Sequence, residues 1–207
     1  MKVCGVDEAG RGSMIGPLVI AGISIEKKNI NKLRKLGVRD SKKLSPKKRD
    51  FLYKEILKVV DTYHVIRIPP KTIDKYVFKH NLNHLEAQKM ADVITHLKSE
   101  ISYVDSCDVN ANRFGREISD LSNKSKVKSY HRADSRFVVV SAASIIAKVS
   151  RDRSITRLNK NYKFGSGYPS DKKSVNFIKK LVSAKKHFHY LYVKVGNQFK
   201  KYLVLVN

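Results

Sequence analysis

Met1-Lys-Val-Cys-Gly-Val-Asp7-Glu8-Ala-Gly10-Arg11-Gly12 opens the chain and decides how the rest is read. Val3 to Val6 begin a short buried strand, and two adjacent carboxylates and Gly-Arg-Gly follow at once. Carboxylates are seldom placed in a core without a partner. Two side by side repel unless protons or cations sit between them, and hard divalent cations such as Mg²⁺ take oxygen ligands of this kind. Neighbouring strand residues point to opposite faces, so Asp7 and Glu8 can serve one site only if the strand ends or bends there. Gly10 and Gly12 supply the permissive backbone for that bend. A dinucleotide loop is a competing reading of Gly10-Arg-Gly12-Ser-Met-Ile-Gly16, but such a loop must open a helix. Here Pro17-Leu-Val-Ile-Ala-Gly-Ile-Ser-Ile25 follows, an apolar β-type run. An exposed acidic turn is the second competitor.

The 207 residues can bury a real core, and 42% hydrophobic content excludes a disordered chain. The formal net charge is +25, from 43 Lys and Arg against 18 Asp and Glu. This exceeds what solubility requires and points to a polyanionic partner, nucleic acid first, bound with steep salt dependence. No apolar run reaches the ~20 residues of a membrane span, and the N-terminus lacks the regions of a signal peptide. The expected location is cytoplasmic, with no membrane partner. Cys4 and Cys107 are too few for a disulfide framework and are read as reduced thiols.

Along the chain, residues 2–7 and 17–25 form an antiparallel pair. A basic helix over Lys27 to Leu36 ends at Gly37. Ser45 caps a helix that starts at Pro46; from Lys47 to Val60 it buries Phe51, Leu52, Ile56, Leu57 and Val60. Thr62 to Ile68 is a strand, and Thr72 to Phe78 a short helix. Asn83 caps a helix running to about Lys98, which leaves His80 and His84 as surface histidines. Ile101 to Asp105 is a strand, Arg113 to Leu121 a helix, and Lys126 to Tyr130 a basic strand. A long helix covers Phe137 to Asn159, and the small face of its Ser141-Ala-Ala-Ser-Ile-Ile-Ala-Lys148 segment lets it pack close to a sheet. Phe164-Gly-Ser-Gly-Tyr168-Pro169 is a loop, and Asp171 to Ala184 a basic helix. The tail from Tyr190 to Val206 alternates around Gly196-Asn197 as a β-hairpin. His187-Phe-His189 reads as surface strand rather than a metal pair. Strands mixed with helices give an α/β class.

Asp105 ends a predicted strand, and ligands in open α/β sheets gather outside strand ends. Asp134, in His131-Arg-Ala-Asp-Ser, lies just ahead of the long helix, where capping alone would also explain an acid. Four carboxylates converging in a strongly basic chain suit two metal ions that span a phosphodiester. Lys42, Lys43, Lys148, Arg151 and the helix near Lys172 to Lys180 are the candidates for flanking phosphates.

These pieces resemble ribonuclease HII in its archaeal form across roughly residues 2–183. The matching motifs are Gly-Val-Asp7-Glu8-Ala-Gly10-Arg11-Gly12, Ile15-Gly-Pro17, Asp40-Ser-Lys-Lys43-Leu-Ser45, Tyr103-Val-Asp105 with Asp108-Val-Asn110, Ala133-Asp134, Ser141 to Lys148, Arg151-Asp152 and Gly167-Tyr168-Pro169. The resemblance implies an RNase H-like fold, a mixed β-sheet flanked by helices, over residues 1–184, with 185–207 a C-terminal appendage. It implies an endoribonuclease that cuts the RNA strand of RNA–DNA hybrids, and DNA duplexes with embedded ribonucleotides, leaving a 3′-hydroxyl and a 5′-phosphate. Asp7, Glu8, Asp105 and Asp134 would then be the catalytic, metal-binding acids for two Mg²⁺ or Mn²⁺ ions. Gly10, Arg11 and Gly12 would read the ribose 2′-hydroxyl, Tyr168 would stack on the next sugar, and Lys43 would meet the backbone. A monomer is implied, with a replication clamp as a further partner. Ser13 stands where the family has proline, which implies a looser loop, and the family's helical tail is not recognisable after Lys185. A non-catalytic nucleic-acid-binding protein is the alternative, but a pure binder has no use for buried negative charge facing a polyanion. A ribonuclease HIII is set aside because that type carries an extra N-terminal domain, whereas here the first strand starts at residue 2.

Overall fold

The structure, a computed structural model, describes residues 1–38, 44–183, 189–195 and 198–204, the last two stretches as backbone. The Asp40-Ser-Lys-Lys43 motif, Lys42, His187 and the Gly196-Asn197 turn lie outside the described residues. The elements run β1 Lys2–Ala9, β2 Leu18–Glu26, a 3₁₀ turn at Lys27–Asn29, α1 Ile30–Lys35, α2 Pro46–Val59, β3 Thr62–Ile68, α3 Pro70–Phe78, α4 Leu82–Leu97, β4 Ile101–Asp105, α5 Ala111–Leu121, β5 Val127–Tyr130, α6 Ala133–Arg136, α7 Val138–Tyr162, α8 Lys172–Ser183, β6 His189–Val195 and β7 Gln198–Val204. The chain divides into two compact units.

The first unit comprises Met1–Ala9, Val19–Ile66 and Asn83–Ser150. Its sheet has the order β3-β2-β1-β4-β5. β1 pairs antiparallel with β2 and parallel with β4, and β4 pairs parallel with β5, which makes the sheet mixed, as the α/β reading requires. Two glycines bring the flanking helices close. A Cβ on Gly5 would sit 2.2 Å from the backbone carbon of Val139, so the start of α7 lies directly on β1. A Cβ on Gly22, opposite Val6 and therefore on the other face, would sit 2.5 Å from Val93 Cγ1 of α4. Helices thus cover both faces. The α7 side is filled by Val3, Ile23 and Ile25 packed with Val139, Ala142, Ile145 and Ile146, and by Leu33, Leu52 and Ile56 from α1 and α2.

Ser45 caps α2 as expected, its hydroxyl accepting from Lys48 N at 3.3 Å, with Pro46 in the first turn. Phe51 is not buried: it is 54% exposed, with Lys48 Nζ 5.0 Å from its ring. The apolar stripe of α2 is narrow, and Leu52 and Ile56 alone reach full burial. Asn83 is not the cap of α4, which starts at Leu82; its amide instead donates to Asp108 Oδ2 at 2.8 Å. His84 pairs with Glu117 at 2.5 Å. Asn110 supplies the cap of α5, accepting from Arg113 N at 2.9 Å, so that helix begins earlier than Arg113. Cys4 and Cys107 are both free, and burial pushes the Cys4 thiol up to about 12.

The second unit comprises Gly10–Leu18, Arg67–Leu82 and Arg151–Asn207. Its small core joins Met14 and Ile15 to Ile155, Phe164 and Ile178. β6 and β7 pair antiparallel with His189 opposite Val204 and Val195 opposite Gln198.

Candidate metal centre and loop clamp

Asp7, Glu8 and Asp105 each place a carboxylate oxygen within 4.8 Å of the others. Among the described residues no histidine or cysteine takes part in such a group. The expected bend at Glu8 is absent, because β1 stays paired with β2 through Ala9. What changes is the other side of the strand: pairing between β1 and β4 stops at Val6 and Val104. Beyond that level the two parallel strands no longer bond, and Asp7 and Asp105 lie at the mouth of the split. Asp7 and Glu8 do start on opposite faces of the strand. The extra methylene of Glu8 and the open split let its carboxylate meet the other two. The Glu8 N–H goes to Asp7 Oδ1 at 2.7 Å, which fixes the aspartate rotamer.

Asp7 is 4% exposed. Its carboxyl is held well above the ordinary carboxylate range, first by burial and then by the charges of Glu8 and Asp105; hydrogen bonds from Ser144 and the Glu8 amide pull the other way. Asp134 is buried on α6. It is outside the three-acid group, although the N–H of its neighbour Ala133 donates to Asp105 Oδ1 at 2.6 Å. Two serines one turn apart on α7 bond these aspartates, one at a carboxylate and one at the main chain. Ser144 bonds the Asp7 carboxylate, and the Ser141 hydroxyl donates to the Asp134 carbonyl. The motif containing them was legible for its small size, but not as the source of a donor to the Asp7 carboxylate.

Three carboxylates this close, one of them buried, disfavour full ionisation in the protein alone. A hard divalent cation removes that penalty and accepts an all-oxygen donor set. The residues present therefore fit such an ion, which Asp7, Glu8 and Asp105 could hold together.

Gly10, Arg11, Gly12 and Tyr168 belong to the second unit, where two loops are bound together. Met14 N and Ile15 N both donate to Gly167 O, at 2.7 and 3.1 Å. Arg151 Nη2 donates to Ile15 O at 3.1 Å and to Ser166 O at 3.4 Å, and the guanidinium carbon lies 4.2 Å from the centre of the Tyr168 ring. Arg151 is fully buried, so it clamps loops and does not meet phosphate as expected. Gly10 has φ +102°, and a Cβ there would strike Pro17 O at 2.6 Å. Gly12 has φ +75° and open space where a Cβ would be, so its glycine answers to backbone conformation and leaves room above the loop. Ser13 does not loosen this turn. Its N–H and hydroxyl both donate to Gly10 O, at 3.0 and 2.8 Å, and the first of these bonds is one that proline could not make. The loop leads into β2 and not into a helix, which removes the dinucleotide reading. Lys43 lies outside the described residues.

The ribonuclease HII family profile matches residues 4–194. A ribonuclease HII from Cenarchaeum symbiosum (strain A) is 58% identical over 179 residues, covering 86% of this chain and 87% of its own. The crystal structure of the ribonuclease H2 from Pyrococcus horikoshii OT3 superposes with a TM-score of 0.82 at 45% identity, over 89% of this chain and 88% of that one. The enzyme in the structure of the PCNA:RNase HII complex from Archaeoglobus fulgidus gives 0.84 at 40% identity, over 89% and 90%. Sequence and fold agree over most of the length, and the chain belongs to the ribonuclease HII family, whose members are metal-dependent endonucleases of the ribonuclease H type.

Proposed function

We propose that the protein cuts the RNA strand of RNA–DNA hybrids and DNA duplexes with embedded ribonucleotides, hydrolysing the phosphodiester to leave a 3′-hydroxyl and a 5′-phosphate. The observation that carries this reading is the Asp7, Glu8 and Asp105 group at the split between β1 and β4, in a chain of net charge +25. Asp134 completes the set, for two divalent ions. Bound, such ions supply Lewis acidity and an activated water for in-line displacement. The chain's own residues set that chemistry up: Ser144 and the Glu8 amide orient Asp7, and the Ala133 amide orients Asp105. The likeness to an enzyme solved with PCNA supports a replication clamp as a second partner. Residues 1–184 carry the activity in this reading, and residues 185–207 are an appendage to it. No helix among the described residues is long and apolar enough to cross a membrane.

The deciding assay offers a DNA duplex with one embedded ribonucleotide in Mg²⁺, in Mn²⁺ and in chelator. Cleavage in either metal and none in chelator is expected. Binding without cleavage in both metals would leave the nucleic-acid-binding alternative in place.

Substrate choice is assigned to Gly10, Arg11, Gly12 and Tyr168, because carboxylates and metal stabilise charge on any phosphodiester and cannot tell ribose from deoxyribose. The backbone of the glycine loop offers N–H groups where no Cβ intervenes, and the 2′-hydroxyl is the group to be read. Arg151 covers the Tyr168 ring from one side and leaves the tyrosine half-buried, so its orientation is fixed before substrate arrives. Tyr168→Ala is expected to lower cleavage at a single embedded ribonucleotide by about 10- to 100-fold, the ~1–3 kcal/mol a stacked ring supplies. The loss on a continuous hybrid should be smaller, because neighbouring ribonucleotides offer alternative registers. Equal losses on both substrates would return Tyr168 to a packing role.

A further inference from the structure

β5 is the last strand of its sheet, and α5 lies beside it. Gly115 makes this approach possible, since a Cβ there would come within 3.0 Å of Ser129 Cβ. Between the two elements runs a groove of about 510 Å³ lined by Arg116, Ser119, Lys128 and Ser129. A second hollow of about 400 Å³ continues it, sharing Ala111, Asn112, Ser129 and Tyr130 and adding His131 and Arg136. No acid lines either part. Two acids near these elements in the chain have cationic or histidine partners, Asp108 with Arg113 and Glu117 with His84. Arg136 is exposed, yet its guanidinium is held 4.5 Å from the Tyr130 ring and 5.4 Å from the Phe137 ring. A cation fixed in this way loses little entropy on binding an anion. The groove ends beside the acids, because Tyr130 stands opposite Asp105 in the β4–β5 register.

We propose that this groove tracks one phosphodiester strand of the duplex flanking the cut, an inference that rests on the proposed function for the identity of the duplex. The groove is cationic, has no acid in its lining and is continuous with the acid end of the sheet, which favours a nucleic-acid strand over an added β-strand from a protein. α5, with 11 residues, is ~16 Å long at ~1.5 Å per residue, which gives the groove length for a short run of consecutive phosphates. Arg116 and Lys128 serve the far phosphates, and His131 and Arg136 those nearest the cut. These contacts position the duplex and carry no base information.

The test uses the full chain and two duplexes with one embedded ribonucleotide, one short and one extended on either side in separate arms. Affinity is read in chelator across a salt series, and cleavage is read separately in Mg²⁺. For Arg116→Gln/Lys128→Gln, binding to one extended duplex should weaken about tenfold, with the salt slope smaller by about two, while turnover of the short duplex stays at the wild-type level. Wild-type affinity for both extended duplexes, or equal weakening on short and extended ones, overturns the groove. Failure of wild-type protein to cut the short duplex counts against the proposed activity instead and leaves the affinity comparison standing. A melting temperature equal to wild type shows that the variant is folded, and Lys128→Glu alone, which should weaken the same arm further than Lys128→Gln, repeats the test at one site.

Discussion

Asp7→Asn should abolish hybrid cleavage, a loss of at least about a thousand-fold, or ~4 kcal/mol of transition-state stabilisation, while binding of the hybrid stays intact or tightens. Asparagine keeps the shape of the side chain, and its Oδ1 can still accept the Glu8 N–H that holds Asp7. The negative charge is lost, and one carboxylate oxygen becomes an amide donor. That single change separates a ligand role from a scaffold role, and heat denaturation reads it a second way. In chelator the variant should melt higher than wild type, because it buries one fewer like charge beside Glu8 and Asp105. In excess divalent metal the order should reverse, since ligand binding to the folded state stabilises wild type more. Wild-type turnover in Asp7→Asn, or a lower melting point than wild type in chelator, would remove Asp7 from the metal centre.

Gly5→Ala is expected to be the most damaging small substitution in the sheet. The added carbon would lie 2.2 Å from the carbon, 2.3 Å from the oxygen of the Val139 carbonyl and 2.6 Å from Val140 N. All three are backbone atoms, so no side-chain rotamer relieves the contact, and α7 must move off β1. Overpacking costs about 1–3 kcal/mol and occasionally more, and with only backbone atoms to yield this site belongs at about 3 kcal/mol. For a chain of this size each kcal/mol lowers the melting temperature by about 2–4 °C, which makes the expected fall at least about 6 °C. Activity should fall with it even below the melting point, because Ser144 sits on the displaced helix and bonds Asp7. A melting temperature within a degree or two of wild type would show that α7 can shift freely.

Much of this frame was legible from residue order. The β1–β2 pair follows from two apolar runs either side of a glycine loop, and β3 and β4 keep their predicted bounds because prolines and an aspartate end them. Asp7 and Asp105 were recognisable as acids at the end of buried strands. Four things were not legible. The reach of Glu8 depends on where β1 and β4 part, a fact about pairing that one strand's sequence does not carry. Phe51 fits the apolar face of α2 by period but stays more than half exposed. Asn83 has the right chemistry for a cap, yet Asp108 claims its amide from 25 residues away. Arg151 reads as one more surface cation in a chain full of them, and only the folded loops show it enclosed by carbonyls.

That enclosed guanidinium sets how the loop clamp responds to heat. Desolvation opposes the charge of Arg151 in the folded protein, and the bonds to Ile15 O and Ser166 O offset part of that opposition. The hydration of a charged group becomes less favourable as temperature rises. The unfolded chain therefore gains less by returning Arg151 to water when hot than when cold. The clamp that joins the glycine loop to the Tyr168 loop is a fastening whose relative strength grows on warming, in contrast to apolar contacts, whose contribution per unit area levels off.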